Sequence, residues 1–238
     1  MLAAMTSTTA AGTASPATAT DPARLFPLRA AVLIAPIGPL AIGLARGFLS
    51  YNTTDEPATV VDKIMTHPGV STLVLWLAYL AILTLPLGVL IAGRAAIRAR
   101  PVLGAIAATL AWLGFVSLFA VFGSDAAALA AHQAGSSPGL VVGLITAADT
   151  LPPFQVATIV FVAGHILGCV LLGIALWRVI PRWAALALAV SQPLHLLFAI
   201  LVTNHWADAA AWSLTAIGFT AAALATLRQH TRTAARHA

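Results

Sequence analysis

Six apolar stretches, each close to the roughly 20 residues that a helix needs to cross a lipid bilayer, take up most of this 238-residue chain. They cover 30–49, 70–92, 102–122, 155–177, 183–203 and 207–227. Open strands would leave backbone N–H and C=O groups unsatisfied in hydrocarbon, so these stretches must be helices. The apolar piece 140–148 is too short for a seventh span. Only 8 % of the residues are charged, against about a quarter in soluble domains. A chain so poor in charge cannot cover a water-facing surface, and lipid is the solvent it suits.

The charges set the orientation. Arg24, Arg29, Arg94, Arg98, Arg100, Arg178, Arg182, Arg228, Arg232 and Arg236 all flank spans on one side, ten of the twelve Lys and Arg residues. Asp55, Glu56, Asp62, Asp125, Asp149 and Asp208 fall on the other. By the positive-inside rule the arginine side is cytoplasmic, giving an N-in/C-in arrangement. The same placement turns the net charge of +5 into topology and lipid-headgroup contacts and away from nucleic acid.

The expected fold is therefore all-α: a polytopic six-helix transmembrane bundle with short interfacial helices in its outer loops. Residues 1–27 read as a disordered cytoplasmic tail, 28–229 as the six-span domain and 230–238 as a second tail. In the first outer loop Thr54 or Asp55 is expected to cap a helix carrying Pro57 in its first turn. The second outer loop, 124–153, reads as two short helices split near Gly135–Gly139. Cys169 stands alone, which excludes an internal disulfide.

Ionisable residues inside a membrane are costly, so they mark candidate sites. His165 stands thirteen residues before Arg178, and His195 thirteen after Arg182. At 1.5 Å per residue both imidazoles lie about 20 Å from the cytoplasmic boundary. The tight turn between these spans puts them level and facing. Gln192, three residues before His195, is expected on the same face. Gly164 and Gly168 form a small-xxx-small pair that admits a neighbouring backbone. His165, His195 and Gln192 thus form a candidate polar site, either hydrogen-bonded only to fasten the hairpin or used for ligand, proton or metal. No cofactor is expected; the alternative is haem b, ligated by His165 and His195. Arg46, near the outer end of the first span, either snorkels to headgroups, or pairs with Asp125 or Asp208 or clamps an anionic ligand in an outer-face charge site. Asp208 is also explained as a helix-start carboxylate.

No phosphate-binding Gly-rich loop, His-Glu-x-x-His or Gly-x-Ser-x-Gly is present, and no span carries a carboxylate in its middle. These absences lean against an enzyme. The stretch Gly164-His165-Ile166-Leu167-Gly168, through Pro181-Arg182-Trp183-Ala184-Ala185, to Gln192-Pro193-Leu194-His195 resembles small six-helix integral membrane proteins of unknown function in high-GC bacteria. That resemblance spans about thirty residues and implies a bacterial cytoplasmic membrane and no activity. Two functions follow: a non-enzymatic component binding a lipid, hydrophobic ligand, protein partner or second copy, and a redox or proton-handling protein using the histidines.

Overall fold

Helices close into a ring in chain order. The computed structural model describes residues 22–236, and within them the helices are α1 (Pro22–Ile34), α2 (Ile37–Phe48), α3 (Pro57–Thr66), α4 (Pro68–Ala99), α5 (Pro101–Gln133), α6 (Pro138–Asp149), α7 (Pro152–Leu176), α8 (Arg182–Leu196) and α9 (His205–Arg236). A π-helical turn, Leu197–Leu201, extends α8. The described residues are almost entirely helical, with no strand among them. Six helices are long and apolar enough to span a membrane: Pro27–Phe48, Pro68–Ala99, Pro101–Gln133, Pro152–Leu176, Arg182–Leu201 and His205–Thr233. Each packs on the next, α2 on α4, α4 on α5, α5 on α7, α7 on α8 and α8 on α9, and α9 returns to α2.

Phe115, Leu85, Leu172, Leu188, Trp212 and Phe219 fill the centre, while Leu33, Trp76, Leu83, Leu90 and Ile159 face outward. Outward apolar side chains on every wall are what a lipid-facing surface requires. The protein is an α-helical multi-pass membrane protein.

Several helices outrun the apolar stretches that announce them. α4 continues through Arg94 and Arg98 to Ala99, and α5 passes Asp125 to reach Gln133. Hydropathy registers the hydrocarbon layer, whereas a helix continues until its backbone is stopped. At α5 the stop is Gly135, whose φ of +72° suits a residue without Cβ. Gly135 N–H donates to His132 O and Ser136 N–H to Ala131 O, the paired bonds of a Schellman ending. The first of the two short helices expected in 124–153 is therefore the end of α5, and only α6 stands apart. α1 begins at Pro22, inside the stretch assigned to the N-terminal tail, and residues 1–21 of that tail lie outside the described residues. α9 likewise runs to Arg236 through most of the expected C-terminal tail.

The loops at the carboxylate-bearing end hold α3 and α6, which pack with the end of α5 through Val61, Ile64, Ala128, Leu129 and Val141. Pro57 opens α3, but the N-cap is Glu56, without a side-chain cap bond. Asp55 is engaged elsewhere: it accepts from Asn52 N–H at 2.8 Å and Lys63 Nζ at 2.7 Å. The Lys63 bond, first, and the Asn52 backbone bond hold its carboxyl below the usual carboxylate range.

The closest helix contact positions the site. A Cβ built on Gly114 would lie 2.2 Å from His165 N, and one on Gly168 would lie 2.3 Å from Ala111 N. Glycine at these points lets the α5 and α7 backbones meet. The approach foreseen for Gly164 and Gly168 is thus made by α5, and it fixes His165 against the centre of the ring.

Candidate functional site

One buried cluster gathers side chains from α2, α7, α8 and α9 near the carboxylate-bearing end. Asp208 is its hub, with a side chain wholly enclosed. Arg46 Nε donates to Asp208 Oδ2 at 2.6 Å, and His195 Nδ1 lies 2.5 Å from Oδ1. Arg46 also donates from Nη2 to Thr53 Oγ1 at 2.8 Å, tying the loop after α2 to the cluster. Of the two carboxylates foreseen for Arg46, Asp208 is the partner. Asp125 instead accepts from the Tyr51 hydroxyl at 2.6 Å. Burial, and secondarily the Asp125 charge, push the Tyr51 phenol well above its ordinary range, so it remains a donor.

Asp208 does not cap α9. Asn204 does, accepting from Ala207 N–H through its side-chain oxygen at 3.0 Å, which leaves the Asp208 carboxylate to face inward. The α8–α9 connection is tight enough to hold Thr203 at φ 48°, a conformation that β-branched residues rarely adopt. His205 fastens the same corner, its Nδ1 donating to Arg46 O at 3.0 Å while Nε2 lies 3.0 Å from the Asn52 side chain.

His165 and His195 face each other as their spacing predicts, with ring centroids 5.6 Å apart. His165 Nδ1 donates to Phe161 O one turn back. A carbonyl can only accept, so the proton of the neutral ring is on Nδ1 and Nε2 carries the lone pair. That Nε2 is buried without a partner. Phe161 stacks on the ring at 4.3 Å and Trp212 lies nearly parallel to it at 6.1 Å.

His195 meets two claimants at one nitrogen. Its Nδ1 is 2.5 Å from Asp208 and 3.1 Å from the Trp212 indole Nε1. One nitrogen cannot donate and accept at once. Asp208 is also bonded to permanently charged Arg46, so Asp208 is the carboxylate and Nδ1–H donates to it. The Trp212 N–H, aimed at the same nitrogen, is then left without a lone pair to meet.

Gln192 does not join this group. Its Nε2 donates to Thr215 Oγ1 at 2.7 Å, and Thr215 donates to Ser191 Oγ at 2.8 Å. Its Oε1 is buried without a partner. Gln192→Leu should therefore remove an orphan as well as a bond, and leave thermal stability in detergent within about 1 kcal/mol of the parent. Trp212, Phe161, Thr53 and Tyr51 are the functional-cluster residues that span-by-span reading misses. All but Thr53 are aromatic, and nothing in their spacing distinguishes them from ordinary core or interface residues.

Beside the histidines lies a cavity of about 120 Å³, walled by Leu118, Val162 and Ile200 and bearing Arg46, Thr53, His165, His195 and Trp212 as its polar members. No set of three or more His, Cys, Asp or Glu suited to a metal ion occurs among the described residues. The fold and cluster together define a multi-pass helical membrane protein with a buried, charge-paired polar site near the carboxylate-bearing end of its bundle. No family model, curated protein or solved structure matches the chain.

Proposed function

We propose that this is a non-enzymatic protein of a bacterial cytoplasmic membrane, with both termini inside, that binds a small polar molecule in the outer half of its bundle, in the cavity lined by His165, His195 and Trp212. The observation that carries the reading is the enclosed, unpartnered Nε2 of His165, a residue whose ring also lines a cavity. An unsatisfied buried acceptor costs about 1–3 kcal/mol, and hydrocarbon offers no water to relieve it. The Phe161 carbonyl holds the ring so that this lone pair stays turned out of its own helix.

The cavity limits the occupant. About 120 Å³ suits a small molecule and is too small for a porphyrin. The occupant would be a hydrogen donor, since His165 Nε2 lacks one. The His195–Asp208 couple beside it provides a ring that can take a proton with a carboxylate 2.5 Å away.

A second reading rests on a separate feature. Both imidazoles have Nδ1 anchored to an oxygen, Phe161 O and Asp208 Oδ1, which is how proteins orient metal-ligating histidines. In that reading the pair handles electrons or protons through a bound metal, and haem b would require α7 and α8 to part.

The test is a comparison of parent and His165→Phe protein in lipid nanodiscs, by ¹⁵N-histidine NMR, absorption spectrum and metal content. In the parent, the His165 Nε2 signal is expected at a hydrogen-bonded position, with no stoichiometric metal. A Nε2 signal typical of a bare lone pair, together with a more stable His165→Phe protein, would sink the ligand reading. A Soret band or stoichiometric metal lost in both His165→Ala and His195→Ala would install the second reading instead.

A further inference from the structure

At the arginine-bearing end, α1, α4 and α9 enclose a crevice of about 730 Å³ that contains Leu28, Leu90, Ile91, Arg94, Arg98 and His230. We propose that this crevice is a binding site for one anionic glycerophospholipid, its headgroup phosphate held by Arg94 and Arg98. This inference is independent of the cavity beside the histidines.

Three observations carry it. First, Arg94 and Arg98 are one helical turn apart on α4, so both guanidinium groups reach one locus, and Arg forks match phosphate oxygens. Second, their charge is unanswered within the described fold. The ion pairs among the described residues are Arg46–Asp208, Lys63–Asp55 and His195–Asp208, all toward the opposite end. Across the crevice α9 adds His230 and the amide of Gln229 and no carboxylate. A helix C-terminus alone favours one nearby cation, but the crevice collects two arginines against a histidine, and an anion is what that arrangement lacks.

Third, the crevice continues into an apolar track. Leu90, Leu87 and Leu83 follow Arg94 down one face of α4 and are 58, 43 and 52 % exposed. From residue 94 to 83 the helix descends about 16 Å, much of one leaflet's depth, with Leu28 of α1 beside its upper end. A soluble phosphate would use the arginines and leave this track idle. A phospholipid uses both, and its glycerol backbone would sit at the depth of Arg94.

The experiment is native mass spectrometry of the full chain released from nanodiscs containing equal phosphatidylglycerol and phosphatidylcholine. The parent is expected to retain phosphatidylglycerol at least about tenfold over phosphatidylcholine, as two arginines near a charged leaflet suggest. Arg94→Gln/Arg98→Gln should bring retention to the phosphatidylcholine level. Arg178→Gln/Arg182→Gln removes the same charge from the same end outside the crevice, and should leave retention unchanged. Equal retention of the two lipids, or equal loss in both double variants, would overturn the site. Displacement of phosphatidylglycerol by millimolar glycerol 3-phosphate or inorganic phosphate would overturn the lipid assignment in favour of a soluble anion. Because Arg94 and Arg98 are exposed, unfolding does not confound the comparison.

Discussion

Asp208→Ala is expected to lower folding stability by about 3 kcal/mol, the lower end of the range for breaking a buried ion pair. The carboxylate is wholly enclosed and serves two donors, Arg46 Nε and His195 Nδ1–H. Its removal strands a guanidinium and an imidazole N–H together. Arg46 retains some exposure, 15 % of its side chain, and its bond to Thr53, so part of the charge can still reach the headgroup layer. That is why the lower end applies. Reversible unfolding in mixed micelles measures the loss. Arg46→Ala/Asp208→Ala should be less damaging than the sum of the single variants by more than about 1 kcal/mol, because the two share one interaction.

Asp208→Asn separates packing from charge. The amide keeps the shape but has one oxygen, and Arg46 claims an acceptor. The amide nitrogen then faces His195 Nδ1, which must give up its proton and accept. The His195 tautomer should therefore switch from Nδ1–H to Nε2–H, visible in ¹⁵N shifts. An unchanged tautomer, or Asp208→Ala within about 1 kcal/mol of the parent, would remove Asp208 from the centre of the cluster.

Much of this cluster was legible in order of how local the signal is. The six spans follow from hydropathy and the one-sided arginines, signals that each residue carries by itself. The level pairing of His165 and His195 follows from counting along a tight hairpin, since helical rise is fixed. Arg46 could be given a choice of two carboxylates and no more, because choosing requires knowing that α9 closes the ring onto α2. Gln192 shows where counting fails. Three residues turn a helix by about 300°, so Gln192 and His195 differ by some 60° in direction. In a ring of six helices that is enough to send one toward Thr215 and the other toward Asp208. The start of α9 shows a similar limit: Asp208 does stand in the first turn, as expected, but the cap bond comes from Asn204, which leaves the carboxylate free to turn inward.

Gly114→Ala is the smallest change expected to have the largest effect, a loss exceeding about 3 kcal/mol. The added Cβ would sit 2.2 Å from His165 N and 2.7 Å from Gly164 C. Both are backbone atoms, so no rotamer change makes room and α5 must move off α7. That is the most extensive helix pairing in the ring, and His165 rides on it. Gly123→Ala on the same α5 meets nothing within 4 Å and should gain up to about 1 kcal/mol from helix propensity. Helix propensity favours both substitutions equally, so opposite signs isolate the interhelical contact. Thermal unfolding in detergent gives the sign, and the ¹⁵N signal of His165 reports whether its ring has shifted from the Phe161 carbonyl. If Gly114→Ala matches Gly123→Ala in stability, α5 and α7 are not in backbone contact, and the fixed seat of His165 goes with it.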